Sequence, residues 1–127
     1  MIYMTWNDLA RLRALHEDIE HEVNALKNLH GRHGMPKIVL PAIQEDLEHK
    51  RALYAEERAR VEQYINECDD ERTRSILADY FLEHLPWYKV DWRAGPGVHA
   101  GDVARNYVHF HSQLSMNKRE RKMTYDG

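Results

Sequence analysis

The sequence predicts an all-α chain in which a long N-terminal antiparallel helical hairpin, coiled-coil-like, leads into a smaller unit of three helices. Three observations carry that expectation. Apolar residues recur at intervals of three, four and seven along most of the chain, which is the spacing of a helix face and not the alternation of a strand. The breakers Gly31, Gly34, Pro36, Pro86, Gly95, Pro96 and Gly97 fall between those periodic stretches. Charged residues make up 31% of the chain against six glycines and four prolines, a composition that suits solvated helices better than an all-β fold.

The first helix is expected to begin at Thr5, because Asp8 follows three residues later and Trp6, Leu9 and Leu12 start an apolar row; the pair approximates a capping box with a short carboxylate. Leu12, Ile19 and Leu26 are seven apart, and Leu15, Glu22 and Leu29 form a second, imperfect row. His30, Gly31, Gly34 and Pro36 end the helix. Residues 31–41 form a connection holding Ile38-Val39-Leu40, too short a triplet for a core strand without a partner. A second helix is expected from Pro41, which lacks only an N–H that has no intrahelical partner in a first turn. Its row is Leu47, Tyr54, Val61 and Cys68, again seven apart, flanked by Ile43 and Tyr64. Two such helices of about 25 residues, each about 37 Å long, cover one another's stripes as a hairpin over residues 1–68. Beyond that seam the surface is charged, so a second chain is expected to complete the packing as a homodimer.

Residues 69–116 parse as three helices. Ile76, Leu77, Tyr80 and Phe81 follow Asp69 and Asp70 at helical spacing, and Leu85-Pro86 interrupts them. Trp87, Val90 and Trp92 mark a short second helix closed by Gly95, Pro96 and Gly97. Val103, Tyr107, Val108 and the run from Phe110 to Leu114 give a longer third one. Helix, short helix, turn, longer helix is the order of a helix-turn-helix unit.

Over roughly residues 61–113 the chain also resembles a family. The features are Tyr64-Ile65, Asp69 and Asp70, Arg72 and Arg74 with Ile76, then Tyr80, Leu85-Pro86-Trp87 with Val90, and Asp102-Val103 with Arg105. This run is similar to the C-terminal half of small phage-encoded RinA-like and ArpU-like transcription regulators, whose helix-turn-helix is related to region 4 of sigma factors. Asp91 departs from the pattern, standing where those proteins usually carry alanine, and Gly95-Pro96-Gly97 alters the turn. The resemblance implies a DNA-binding regulator of phage or prophage origin that acts by binding.

Charge distribution bears on that expectation. The chain carries a net charge of −3, yet Lys and Arg outnumber Asp and Glu only from residue 85 onward, where any face for phosphate must lie. Double-stranded DNA is the expected partner. Lys89, Arg93 and the polar basic tail 117–127, with Lys118 and Arg119, are the expected phosphate contacts. If Val103, Tyr107 and Phe110 face inward, Gly101, Asp102, Arg105, Asn106 and His109 form the outward face of the third helix. There Arg105 matches guanine O6 and N7 and Asn106 matches adenine. Trp87 and Trp92 are expected as core residues, with base stacking as the rival role.

Other chemistry has less to recommend it. Nine histidines invite a metal, but His30 and His33 lie in the glycine-rich connection and His109 and His111 alternate across a helix, so none gathers a third ligand in sequence. His16 and His21 are expected to be exposed or capping. The acidic clusters at 17–22 and 69–71 suit a solvated helix face, and no GxSxG, HExxH or phosphate-binding glycine loop occurs, so no catalytic residue and no cofactor are expected. Cys68 alone excludes an internal disulfide, fits a cytoplasmic setting and is expected as a small buried residue. No window approaches about 18 apolar residues, so no membrane span is expected. Two rivals to a DNA-binding regulator stay open: a module that docks its acidic hairpin on a host or phage protein, and a small terminase subunit assembling into a ring.

Overall fold

The computed structural model describes residues 3–30 and 39–125, with side chains over 3–28 and 41–112. Every element among them is helical: α1 Trp6–His30, α2 Val39–Asn66, α3 Glu71–Leu77 running into a π-helical segment Ala78–Leu82, α4 Trp87–Ala94 and α5 Ala100–Tyr125. None of these helices is long and apolar enough to cross a membrane.

The start of α1 is set locally. Asp8 N–H donates to Thr5 Oγ1 at 3.2 Å and Thr5 N–H donates back to Asp8 Oδ2 at 2.9 Å, so the shorter aspartate does close the capping box. Helix α2 begins at Val39, ahead of the expected start, and Pro41 lies inside its first turn where its missing N–H still costs nothing. Residues 31–38 of the connection, including His33, lie outside the described residues.

Lys50 of α2 meets Asp18 at 3.0 Å and Glu22 at 3.1 Å, while His16, earlier in α1, lies against Tyr54, later in α2. The two long helices therefore run alongside in opposite senses. Their seam changes character along its length. Towards the three-helix unit it is apolar, with Leu9, Leu12 and Val61 fully buried. Towards the connection Ile19, Leu26 and Ile43 are only half-buried, and the Lys50 ammonium, ringed by Asp18, Glu22 and Asp46, bridges the helices. Those carboxylates, Asp18 foremost, hold the Lys50 pKa well above the usual lysine range.

Leu9 and Leu12 of α1 and Val61, Tyr64 and Ile65 of α2 share one core with Ile76, Leu77, Phe81, Val90, Ala100, Ala104 and Val108. Burying each large side chain there contributes about 1.5–3 kcal/mol. Cys68 is buried as expected. Trp92 is not: it is 84% exposed, because Val90 and Trp87 take the inward positions of α4 and leave Tyr88 and Trp92 on the far side.

Candidate nucleic-acid interface

The connections on either side of α4 position the candidate face. Upstream, the π segment widens the end of the α3 helix, with Glu83 N–H donating to Ala78 O at 3.0 Å and Leu85 N–H to Asp79 O at 3.0 Å. His84 there adopts φ 55°, a left-handed conformation usually left to glycine or asparagine. Pro86 then caps α4 in extended backbone. Downstream, Gly95 at φ 115° and Gly97 at φ 76° reverse the chain, conformations that side chains rarely adopt. Asp91 Oδ1 accepts the Ala100 N–H at 2.9 Å, placing a carboxylate on the N-terminus of α5. Asp91 thus ties the turn to the start of α5.

A layered stack joins α1 to this unit. The Arg13 guanidinium lies 3.9 Å from the Tyr80 ring centroid, Tyr80 stacks on Trp87 at 3.7 Å, Trp87 lies parallel to Trp6 at 6.3 Å, and Arg105 caps Trp6 at 5.4 Å. Phe81 closes the side of the stack edge-on to Trp6 and Tyr80. At one end, Arg13 Nη1 donates to Tyr80 O at 2.9 Å and Leu85 O at 3.2 Å, and Arg58 Nη1 donates to Leu82 O at 2.8 Å. Tyr80 O and Leu82 O belong to the last turn of the π segment and Leu85 O to the connection before α4, and the last carbonyls of a helix lack intrahelical donors. Between the two arginines the His84 ring stacks on His16 at 3.7 Å and meets the Tyr54 hydroxyl at 2.6 Å through Nε2. Burial, and then the neighbouring His16, Arg13 and Arg58, lowers the His84 pKa to about 4. His16, expected as an exposed or capping residue, is half-buried in this cluster.

Among the expected site residues, Asp102, Arg105, Asn106 and His109 are all exposed on α5. Gly101 is not outward: a Cβ there would sit 3.7 Å from the Trp87 ring, so this edge of α5 packs on α4. Phe110 is 61% exposed, against the inward role expected of it. The inward stripe of α5 is instead Ala100, Ala104 and Val108, with Tyr107 at its edge donating to Asp69 Oδ1 at 3.0 Å. Alanines pack the helix closely against its neighbours, and their small size hid them beside the larger Val103 and Phe110. Lys89 is exposed on α4. Arg93 is half-engaged, 3.2 Å from Asp79. Helix α5 continues through Lys118 and Arg119, whose side chains lie outside the described residues.

The structure brings Asp102, Arg105, Asn106 and His109 onto one helix surface, with Arg105 at its flank over Trp6. Sequence reasoning missed Trp6, Arg13 and Arg58 as the residues that hold this surface in place. Only their spacing beside the apolar rows hinted at a position near the seam. No protein-family model, curated protein or solved structure matches this chain.

Proposed function

We propose that this chain is a DNA-binding transcription regulator of phage or prophage type, acting by binding and not by catalysis. In this reading α1 and α2 form a coiled-coil-like hairpin that dimerises the protein, and α4, the glycine turn and α5 form a helix-turn-helix. The observation that supports it best is the capped start of α5 beside a two-glycine turn, with Arg105 and Asn106 on the solvent side. Arg105 and Asn106 read bases in the major groove; Lys89, Arg93 and the basic stretch beyond residue 116 hold phosphates.

Arg105 must leave Trp6 to do so. A cation–π contact at an exposed site is worth about 0.5–1 kcal/mol, whereas a bidentate guanine contact discriminates by about 1–3 kcal/mol, so the base wins. Binding of labelled duplex fragments from the neighbouring genome, measured across a salt series, tests the reading. Sequence-selective binding that weakens steeply with salt is expected, and Arg105→Ala should lower specific affinity by about 1–3 kcal/mol. An equal loss on random duplex would refute the specificity role.

A second reading is favoured by Tyr88 and Trp92, which are 70% and 84% exposed on one side of α4. Exposed aromatics of this kind are frequent anchors in protein interfaces. An interaction module of that sort would bind no duplex even at low salt.

A further inference from the structure

Beside the core-facing stripe of α1 lies a groove of about 320 Å³ between α1 and α2, floored by Ala14, Leu15 and Leu53 and walled by Arg11, Asp18 and Glu57. Leu53 is 48% exposed and Ala14 is exposed too, so no described segment of this chain covers the floor. Residues 11, 14, 15 and 18 fall at helical spacing on one face, reading cation, small apolar, large apolar, anion along the helix. Reversed, the same face reads anion, large, small, cation. It is therefore complementary to itself in antiparallel orientation.

We infer that this groove is the dimer interface, and that its occupant is the same face of a second copy of this chain. A two-fold axis crossing α1 between Ala14 and Leu15 sets Arg11 against the partner's Asp18 and Leu15 over the partner's Ala14, an isologous contact. The small alanine gives the opposing leucine room. Arg11 is available for the exchange: among the described residues it makes a 3.8 Å ion pair to Asp8, and its side chain is 76% exposed. Such a surface pair holds an arginine weakly. Two carboxylates against one guanidinium make the groove unsuited to nucleic acid. The face spans about two turns of α1 and about one turn of α2, less than the roughly 800 Å² per partner of a standard interface, so dissociation in the micromolar range is expected.

This interface deepens the dimeric reading above and rests on it for its purpose, but it is measured without DNA. Sedimentation equilibrium of the full chain from about 1 to about 300 μM should show a reversible monomer–dimer equilibrium. Arg11→Asp and Asp18→Arg should each weaken dimerisation at least about tenfold, and the two together should restore it to within about threefold of the parent. Far-UV circular dichroism checks that each variant is folded. Because Asp18 also pairs with Lys50, Ala14→Cys supplies an arm that leaves the charges alone. Cys68 is buried, so a short thiol-to-thiol crosslinker should join two chains through Cys introduced at the exposed position 14. A monomer throughout the range with no crosslinking would overturn the inference. So would a dimer indifferent to both single charge reversals. A dimer with these properties that binds no duplex keeps the interface and removes the regulator reading.

Discussion

Replacing Arg13 with alanine should destabilise the fold by about 3–4 kcal/mol. Arg13 Nη1 donates to Tyr80 O at 2.9 Å and Leu85 O at 3.2 Å. Hydrogen bonds from a charged donor contribute about 1.5–3 kcal/mol each, and the longer one belongs at the lower end. The guanidinium also lies 3.9 Å from the Tyr80 ring centroid with its side chain only 21% exposed. A largely desolvated cation–π contact adds about 1–2 kcal/mol. Its ion pair with Glu17 is long, at 3.7 Å, and the glutamate is 63% exposed, so that contact adds little. These terms overlap, because water reaches part of the vacated space and rescues a carbonyl, which brings the net below their sum. Arg13→Lys retains one donor and the charge but not the planar stack, and should cost about 1–2 kcal/mol. Urea unfolding followed by both far-UV circular dichroism and tryptophan fluorescence measures the loss, since Trp6 and Trp87 lie in the same stack. A cost below about 1 kcal/mol for Arg13→Ala would refute the assignment of Arg13 as the tie between α1 and the helix end.

Other perturbations follow from the same geometry. His84 is held neutral in the fold by burial and its cationic neighbours, with a pKa of about 4, while the unfolded chain takes up a proton below about pH 6.5. Its contribution is therefore complete above about pH 6.5 and lost as pH falls towards 4. Full burial would make this about 3 kcal/mol; partial solvent access of the ring cuts it to about 1–2 kcal/mol. His84→Asn, which suits the left-handed backbone, should remove most of that dependence, and an unchanged pH profile in the variant would count against it. Asp91→Ala should cost about 0.5–2 kcal/mol by uncapping α5, with Asp91→Asn costing less; equal losses would show that the hydrogen bond to Ala100 is not what matters. Gly101→Ala meets only ordinary contact with Trp87, so it should stabilise the chain by about 0.4–1 kcal/mol in thermal or urea unfolding, and a destabilised variant would mean that α4 and α5 pack more tightly than this.

The outline of the fold was legible because its signals are short-range. The Thr5 and Asp8 pair starts α1, Pro86 opens α4, and Gly95 and Gly97 close the turn, each through contacts within a few residues. The α2 row of Leu47 and Val61 is buried as its period requires, with Tyr54 half-buried between them. The site was legible only in part. Asp102, Arg105, Asn106 and His109 do share the exposed side of α5, but Phe110 and Gly101 exchange the roles expected of them. Hydrophobicity ranked the large Phe110 as core, whereas close helix contact selected Ala104.

By itself, the sequence determined that the chain is helical, where most helices begin and end, and which stripe of α2 turns inward, since propensity, capping and period act along the chain. Tertiary structure alone decided the rest. Arg13 meets Tyr80 67 residues away, and no local pattern marks an arginine as the cap of a distant helix end. His16 and His84 become a half-buried stacked pair, and Trp6, Trp87 and Arg105 one column, only once three separate segments converge. Trp92 shows the same limit from the other side: its chemistry favours burial, but the neighbouring helices pack against the side of α4 that carries Trp87 and Val90, and Trp92 is on the other.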